Sequence, residues 1–245
     1  MSLIHGPKIP GITDGLVLYL DANLPSSYSG TGTAWYDLSK YSNNGTISNA
    51  NYTLNGKQTN FNFDNSEDYV LVNNSSTFNF ASNFTVSSWI KVNSFNTSLI
   101  HNVISKKTSY NSAQKGWSCQ YDYRTSGVLQ FRNNDGTSLS DHTPTSSSNN
   151  TTLLNQTNNY VNSVWVISNN TVSFYINGNF LQTIAVIFTN TDTTNNIYIG
   201  KTATSTPGGD PSLIMSLGVI SLYNRALSAT EIQQNFNATR SRYGI

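Results

Sequence analysis

Between Leu16 and Tyr223 apolar residues recur at every second position in short runs, each bounded by Asn, Gly, Ser or Pro. That two-residue period restricts most of the chain to strands. In Phe84–Val92, Phe84, Val86, Ile90 and Val92 share one face and Thr85, Ser87 and Lys91 the other, with Trp89 breaking the polarity of the second. The pattern predicts a half-buried strand. The same reading predicts strands at Leu16–Leu20, Phe61–Phe63, Tyr69–Val72, Trp117–Tyr123, Val128–Phe131, Tyr160–Ser168, Val172–Ile176, Phe180–Ile187, Ile197–Ile199 and Val219–Tyr223. Asn177-Gly178, set between two such runs, suits the positive φ values of a type I′ hairpin turn. Asn169-Asn170 makes the preceding connection, so Tyr160–Ile187 reads as a three-strand meander.

One helix interrupts this pattern. Ser228-Ala229-Thr230-Glu231 is a capping box, Leu227 can staple onto Ile232, and Ile232 and Phe236 face inward one turn apart. Two to three turns are expected, closing one end of a sandwich. The Ser-, Thr- and Asn-rich stretch from Asp141 to Asn159 reads as a long surface loop. Pro7 and Pro10 restrain the first residues. The domain organisation expected is an extended arm over residues 1–13 and one β-domain over residues 14–245.

Composition narrows the function classes. Hydrophobic residues make up 37% of the 245, with 14 Tyr, 11 Phe and 4 Trp, enough for a sizeable core. Only 10% are charged, so solubility rests on Asn, Ser and Thr. The 13 Lys and Arg are scattered and the net charge is +1, which argues against a nucleic-acid partner. No apolar run approaches the roughly 18 to 20 residues of a membrane span, and Met1–Pro10 lacks the basic and apolar regions of a secretory signal. The single Cys119 excludes an intramolecular disulfide framework.

A series of motifs carries a resemblance over Asp14–Ile245. They are Asp14-Gly15-Leu16-Val17-Leu18-Tyr19-Leu20-Asp21-Ala22, Trp35-Tyr36-Asp37-Leu38-Ser39, Asn43-Asn44-Gly45-Thr46, Asp68-Tyr69-Val70 and Phe84-Thr85-Val86-Ser87-Ser88-Trp89-Ile90. Phe174-Tyr175-Ile176-Asn177-Gly178, Ile197-Tyr198-Ile199-Gly200 and Tyr223-Asn224-Arg225-Ala226-Leu227-Ser228 with Glu231-Ile232 complete the series. In this order they resemble the laminin G-like, pentraxin-like branch of the concanavalin A-like lectin/glucanase superfamily. The resemblance implies an all-β, two-sheet antiparallel jelly-roll sandwich with one short C-terminal helix. Two positions depart from the family pattern: Asn65, where Gly often follows the Asp, and Met215-Ser216-Leu217, where Gly-x-Ile is usual. A narrower likeness, in His5-Gly6-Pro7-Lys8-Ile9 and in Asn235-Phe236-Asn237-Ala238 through Arg242-Tyr243-Gly244, is to virion proteins of tailed bacteriophages. It implies a capsid decoration, neck or fibre component in an oligomeric assembly, with the arm docking on other virion proteins. The alternative it leaves open is a carbohydrate-binding adhesin of a cell surface or the extracellular space.

Chemistry-bearing residues are few. Retaining glucanases of the superfamily need two carboxylates about 5 Å apart. The chain has only Glu67, in a turn-like stretch, and Glu231, engaged as a cap, so no catalytic residue is assigned and no enzyme is expected. Asp122 and Asp135 would matter only if they faced each other in a groove. His5, His101 and His142 lack metal-ligand spacing and read as surface histidines. Cys119 reads as a small buried hydrophobe. Relatives of the fold often hold calcium through Asp and Asn oxygens, and Asp64, Asn65, Asp68 and Asp210 are the candidate ligands here. The acidic cluster that pentraxins carry after Ile-Gly is replaced by Lys201-Thr202-Ala203. A glycan site would join an exposed aromatic to hydrogen-bonding amides. Tyr28, Trp35, Tyr41, Tyr52, Tyr110 and Trp117 are stacking candidates; Tyr110 with Asn111, and Tyr28, are the contacts chosen, and Trp35 is expected to pack.

Overall fold

The structure is a computed structural model that describes residues 11–56, 58–64, 67–94, 100–107, 115–123, 128–135, 138–145, 159–188, 194–201 and 214–245. Its strands are β1 (Leu16–Asp21), β2 (Ala34–Trp35), β3 (Gly45–Ser48), β4 (Asn51–Thr53), β5 (Asn60–Phe63), β6 (Tyr69–Val72), β7 (Phe84–Ser94) and β8 (Ile100–Lys106). After them come β9 (Gly116–Asp122), β10 (Val128–Asn134), β11 (Leu139–His142), β12 (Val161–Ser168), β13 (Thr171–Ile176), β14 (Asn179–Ala185), β15 (Ile197–Ile199) and β16 (Ile214–Tyr223). One helix, α1 (Ala229–Thr239), follows, with a 3-10 turn at Arg240–Arg242.

All described strand pairs are antiparallel and form two sheets. The first runs β14-β13-β12-β7-β16-β5-β4, and the second runs β11-β10-β9-β8-β15-β6-β3-β2. β1 pairs with the Val219–Tyr223 part of β16, while β5 pairs with Met215–Leu217. Two strands thus share one edge of β16, and the register shift at Gly218 marks the junction. This is the jelly-roll sandwich the motifs imply. Val86, Trp165, Phe174 and Leu222 of the first sheet and Trp117, Cys119, Phe131 and Ile199 of the second fill the space between them.

The expected turns are present. Asn177 and Gly178 have φ of 50° and 77°, and Asn169 and Asn170 have 45° and 66°, so both hairpins of the β12-β13-β14 meander turn through the left-handed region. Ser228 Oγ accepts from Glu231 N while the Glu231 carboxylate accepts from Ser228 N, closing the capping box. Met215, Ser216 and Leu217, which depart from the family pattern, simply continue β16 against Phe63, Asn62 and Phe61.

Trp89 explains why β7 is not half-buried. A second apolar layer covers the far side of the first sheet, where Tyr19, Trp89, Val164, Tyr175 and Val219 meet Ile232, Phe236 and Tyr243. The Trp89 ring lies near-parallel to Phe236, at 5.7 Å, and to Tyr243, at 4.2 Å, and its indole N–H donates to Thr239 Oγ1 at 2.9 Å. Gly218 makes room for this layer: a Cβ there would stand 2.3 Å from the Tyr243 hydroxyl oxygen. The chain ends are knitted into the same layer. Ile12 N donates to Asn235 Oδ1 at 2.7 Å, the Tyr223 hydroxyl donates to Ile12 O at 3.0 Å, and Arg242 reaches the buried Asp21 at 2.7 Å.

Three expectations need correction. β8, which includes His101, is a strand the periodicity missed; His101 is buried, its ring edge-on to Tyr123 at 5.3 Å, and is no surface histidine. The alternation fails there because a bulge between Asn102 and Ile104 turns both Val103 and Ile104 into the core. Asp141 and His142 end β11 rather than opening a loop, and His142 is half-buried with Nε2 2.9 Å from Asn133 Oδ1. β14 stops at Ala185, two residues before the expected end. Residues 1–10, which hold His5 and most of the arm, and residues 146–158 lie outside the described set.

Candidate functional site

The Trp35–Ser39 and Asn43–Gly45 motifs build one loop around the buried Asp37. Its Oδ1 accepts from Tyr19 N at 2.8 Å and Ser39 N at 2.9 Å, and its Oδ2 accepts from Ser39 Oγ at 2.6 Å and Asn43 N at 2.8 Å. Four bonds to one carboxylate fix the turn. Asn43 Nδ2 then donates to Val17 O at 2.8 Å and to Thr77 Oγ1 at 3.0 Å, tying the loop to β1 and to the 3-10 turn at Ser76–Phe78. The loop presents Lys40 and Tyr41 at its tip, with Ser42 at φ 55° turning the chain back.

Tyr41 is 38% exposed and stands over a groove of about 440 Å³ lined by Ser76, Thr77, Asn79, Phe80, Ala81, Ser82, Asn83 and Asn224. That size falls within the range of small-ligand clefts, about 300–1,000 Å³. Phe80 anchors the groove from below, stacked on Phe84 at 4.7 Å. Among the described residues the side-chain amides of Asn79 and Asn224 make no hydrogen bond to protein, whereas Asn83 is engaged with Asn169 N at 3.2 Å and Ser82 Oγ at 3.3 Å. The Lys40 ammonium lies 5.1 Å from the Tyr41 ring centroid. The groove therefore offers an aromatic surface and two uncommitted amides. Tyr41 was legible in the sequence only as one of six aromatics; Asn79 carried no signal, and Asn224 stood out only as part of the Tyr223–Ser228 motif.

The other aromatics named from the sequence lie elsewhere. Tyr28, chosen as a ligand contact, is a core residue: it is 5% exposed, its ring meets Tyr52 at 4.7 Å and Phe61 at 4.8 Å, and its hydroxyl donates to Gly32 O. Trp35 and Trp117 are fully buried, and Tyr52 packs on Phe61 at 5.3 Å. Tyr110 and Asn111 lie outside the described residues.

For calcium, Asn65 and Asp210 also lie outside the described residues, which leaves Asp64 and Asp68. Asp68 is buried and its Oδ2 accepts from Asp64 N at 2.7 Å, the bond of a loop cap. Calcium takes six to eight oxygens. No group of three or more His, Cys, Asp or Glu side chains able to hold a metal occurs among the described residues, so these do not by themselves fit the ion.

No carboxylate pair suited to glycoside hydrolysis emerges from the residues named for it. Glu231 is held by Arg225 at 2.6 Å, and that guanidinium, with the Ser228 bonds, lowers its pKa to about 2. A group this acidic cannot donate a proton near neutral pH. Asp122 pairs with Val128 at one end of the β9–β10 ladder, whereas Asp135 follows Asn134, which pairs with Gly116 at the other. About six residues of strand, roughly 20 Å, separate them. Asp122 instead accepts from Gln130 Nε2 at 3.0 Å in a buried row that continues through Gln120 to Ser118. Cys119 is buried, which pushes its thiol pKa well up and leaves it no thiolate to offer.

The comparisons agree with this architecture. The family model described as the concanavalin A-like lectin/glucanases superfamily matches residues 63–233. No curated protein matches the chain. Among solved structures, the binding domain of Paraclostridial Mosquitocidal Protein 1 is 18% identical, with a TM-score of 0.68 over 91% of this chain and 52% of that one. The botulinum neurotoxin serotype D binding domain is 20% identical, with a TM-score of 0.65 over 92% and 52%. A Trypanosoma rangeli sialidase in complex with sialic acid is 17% identical, with a TM-score of 0.63 over 93% and 33%. The chain thus spans about half the length of the toxin domains and a third of the sialidase, and at these identities the likeness is one of fold. On the family match and the two-sheet architecture, the chain belongs to the laminin G-like family of the concanavalin A-like lectin/glucanase superfamily.

Proposed function

We propose that the chain is a non-catalytic, glycan-binding display module whose sugar seat is the groove at Tyr41. One observation carries this reading: an exposed aromatic ring sits beside two amides, Asn79 and Asn224, that have no protein partner among the described residues. The apolar face of a pyranose stacks on an aromatic ring, and its hydroxyls both donate to and accept from amides. The rigid loop built on Asp37 supports it, because a pre-positioned ring loses little entropy on binding. The fold likeness to toxin binding domains and to a sialidase bound to sialic acid is consistent with such a role.

The setting we propose is the particle of a tailed phage, with residues 1–13 docking the module on neighbouring virion proteins. The likeness of the His5–Ile9 and Asn235–Gly244 segments to phage virion proteins supports it. Catalysis and calcium have no part in this reading. A glycan array probed in EDTA tests it: the wild-type chain is expected to retain a defined subset of glycans, and Tyr41→Ala to weaken that binding about tenfold, the equivalent of roughly 1.4 kcal/mol. Its melting temperature should not change. An array blank with and without calcium, or full binding by Tyr41→Ala, overturns the assignment.

A further inference from the structure

We propose that the groove between the β13–β14 hairpin and α1 is a second saccharide site, so that one chain carries two separate glycan platforms. The ligand class is that of the Tyr41 groove, but the site is built from other residues. Asn169-Asn170 and Asn177-Gly178 close opposite ends of β13, and the Tyr41 groove abuts the first through Asn83, while the second groove contains Gly178. The length of β13 puts these turns roughly 20 Å apart.

Phe180 is the anomaly that marks the place. The fold buries most of its described aromatics, yet this ring is 56% exposed, at a cost in apolar burial. It is held rather than loose: Tyr175, itself only 8% exposed, braces it edge-on with ring centroids 5.4 Å apart. Facing it across about 590 Å³ are Thr230, Gln233, Gln234 and Asn237 of α1. Their spacing of three, four and seven residues places them on one helix face. No charged side chain lines the groove.

The hairpin and the helix are fitted to each other at Gly178. Its φ is 77°, and a Cβ there would lie 2.8 Å from Gln233 Oε1, so glycine lets the helix amide approach the turn. Gln233 Nε2 lies 3.4 Å from Asn237 Oδ1, while Thr230 and Gln234 make no side-chain hydrogen bond among the described residues. An apolar protein partner would meet a rim of amides and a hydroxyl here. A sugar ring meets both of its requirements, a braced aromatic face and neutral donors and acceptors at its edge.

The test uses the full chain and albumin neoglycoproteins bearing glucose, galactose, N-acetylglucosamine or sialic acid. Calorimetry with the matching free sugar should give two sites per chain for wild type, one for Phe180→Ala, one for Tyr41→Ala and none for the double variant. Gln234→Ala should weaken the Phe180 site alone. Only the wild type should cross-link its neoglycoprotein into a precipitate. Both side chains are solvent-exposed, so unchanged melting temperatures are expected and verify folding. If Tyr41→Ala removes all binding and Phe180→Ala none, the second site is wrong and the first stands; the reverse leaves only the second. A wild type that binds none of the probes overturns both. A concentration-dependent dimer that Phe180→Ala dissolves would assign the patch to a second copy of the chain and overturn the saccharide site.

Discussion

Were the far face of β7 open to water, position 89 would hold a polar residue like Thr85, Ser87 and Lys91, but the chain puts a tryptophan there. That mismatch was visible in the sequence, yet its partners were not, since Phe236, Thr239 and Tyr243 lie some 150 residues away. With Trp89 at 2% exposure, Trp89→Ala should cost about 3–5 kcal/mol in denaturant-induced unfolding. Trp89→Phe keeps an aromatic ring in the stack but loses the indole bond, and should cost less. A loss below about 1 kcal/mol for Trp89→Ala would mean that the layer contributes little to the fold. His101 shows the opposite difficulty. A histidine in a mixed polar stretch reads as surface; the strand is interior because β9 and β15 flank it, and the bulge beside it breaks the alternation that would have marked it.

At the scale of elements, legibility followed how local the determinants are. The two Asn-containing turns and the capping box are written in two to four consecutive residues, and all three are present. β2, β3 and β4 have two, four and three residues, too short for a period, and they exist because β3, β6 and β5, respectively, pair with them. Among these elements α1 carries a pH dependence. Glu231 is depressed to about 2 by Arg225 and the Ser228 bonds, against an unfolded value near 4.3. Its contribution is therefore complete above about pH 4.3 and is lost as the pH falls toward 2. Ser228→Ala should cost about 1 kcal/mol at neutral pH. Glu231→Gln should flatten the decline of stability between about pH 4 and 2, read as the midpoint of urea unfolding at each pH. A decline unchanged in that variant would place the acid sensitivity elsewhere.

For the whole molecule, alternation and motif order made the sandwich legible, whereas the groove at Tyr41 was not. It joins a loop near residue 41, a turn near residue 79 and the end of β16 at Asn224, and which of the five described aromatics stays exposed is decided by packing among segments far apart in the chain. The same long-range construction governs stability. Arg242 reaches Asp21 at the end of β1, Tyr243 lies on Trp89 and 4.7 Å from the Tyr160 ring, and Ile12 is held by Asn235 and Tyr223. The last residues thus cover a layer to which β1, β7, β12 and β16 all contribute. Removing residues 240–245 deletes the Tyr243 ring and leaves the carboxylate of Asp21, fully buried in the intact chain, without its guanidinium, a loss of about 3–5 kcal/mol for the ion pair alone. Because the layer is shared, the truncated chain should melt at a lower temperature in one transition that includes the Tyr41 groove, with glycan binding lost at the same midpoint. Two separate transitions, the first sparing glycan binding, would show instead that the C-terminal layer folds independently of the sandwich that carries the site.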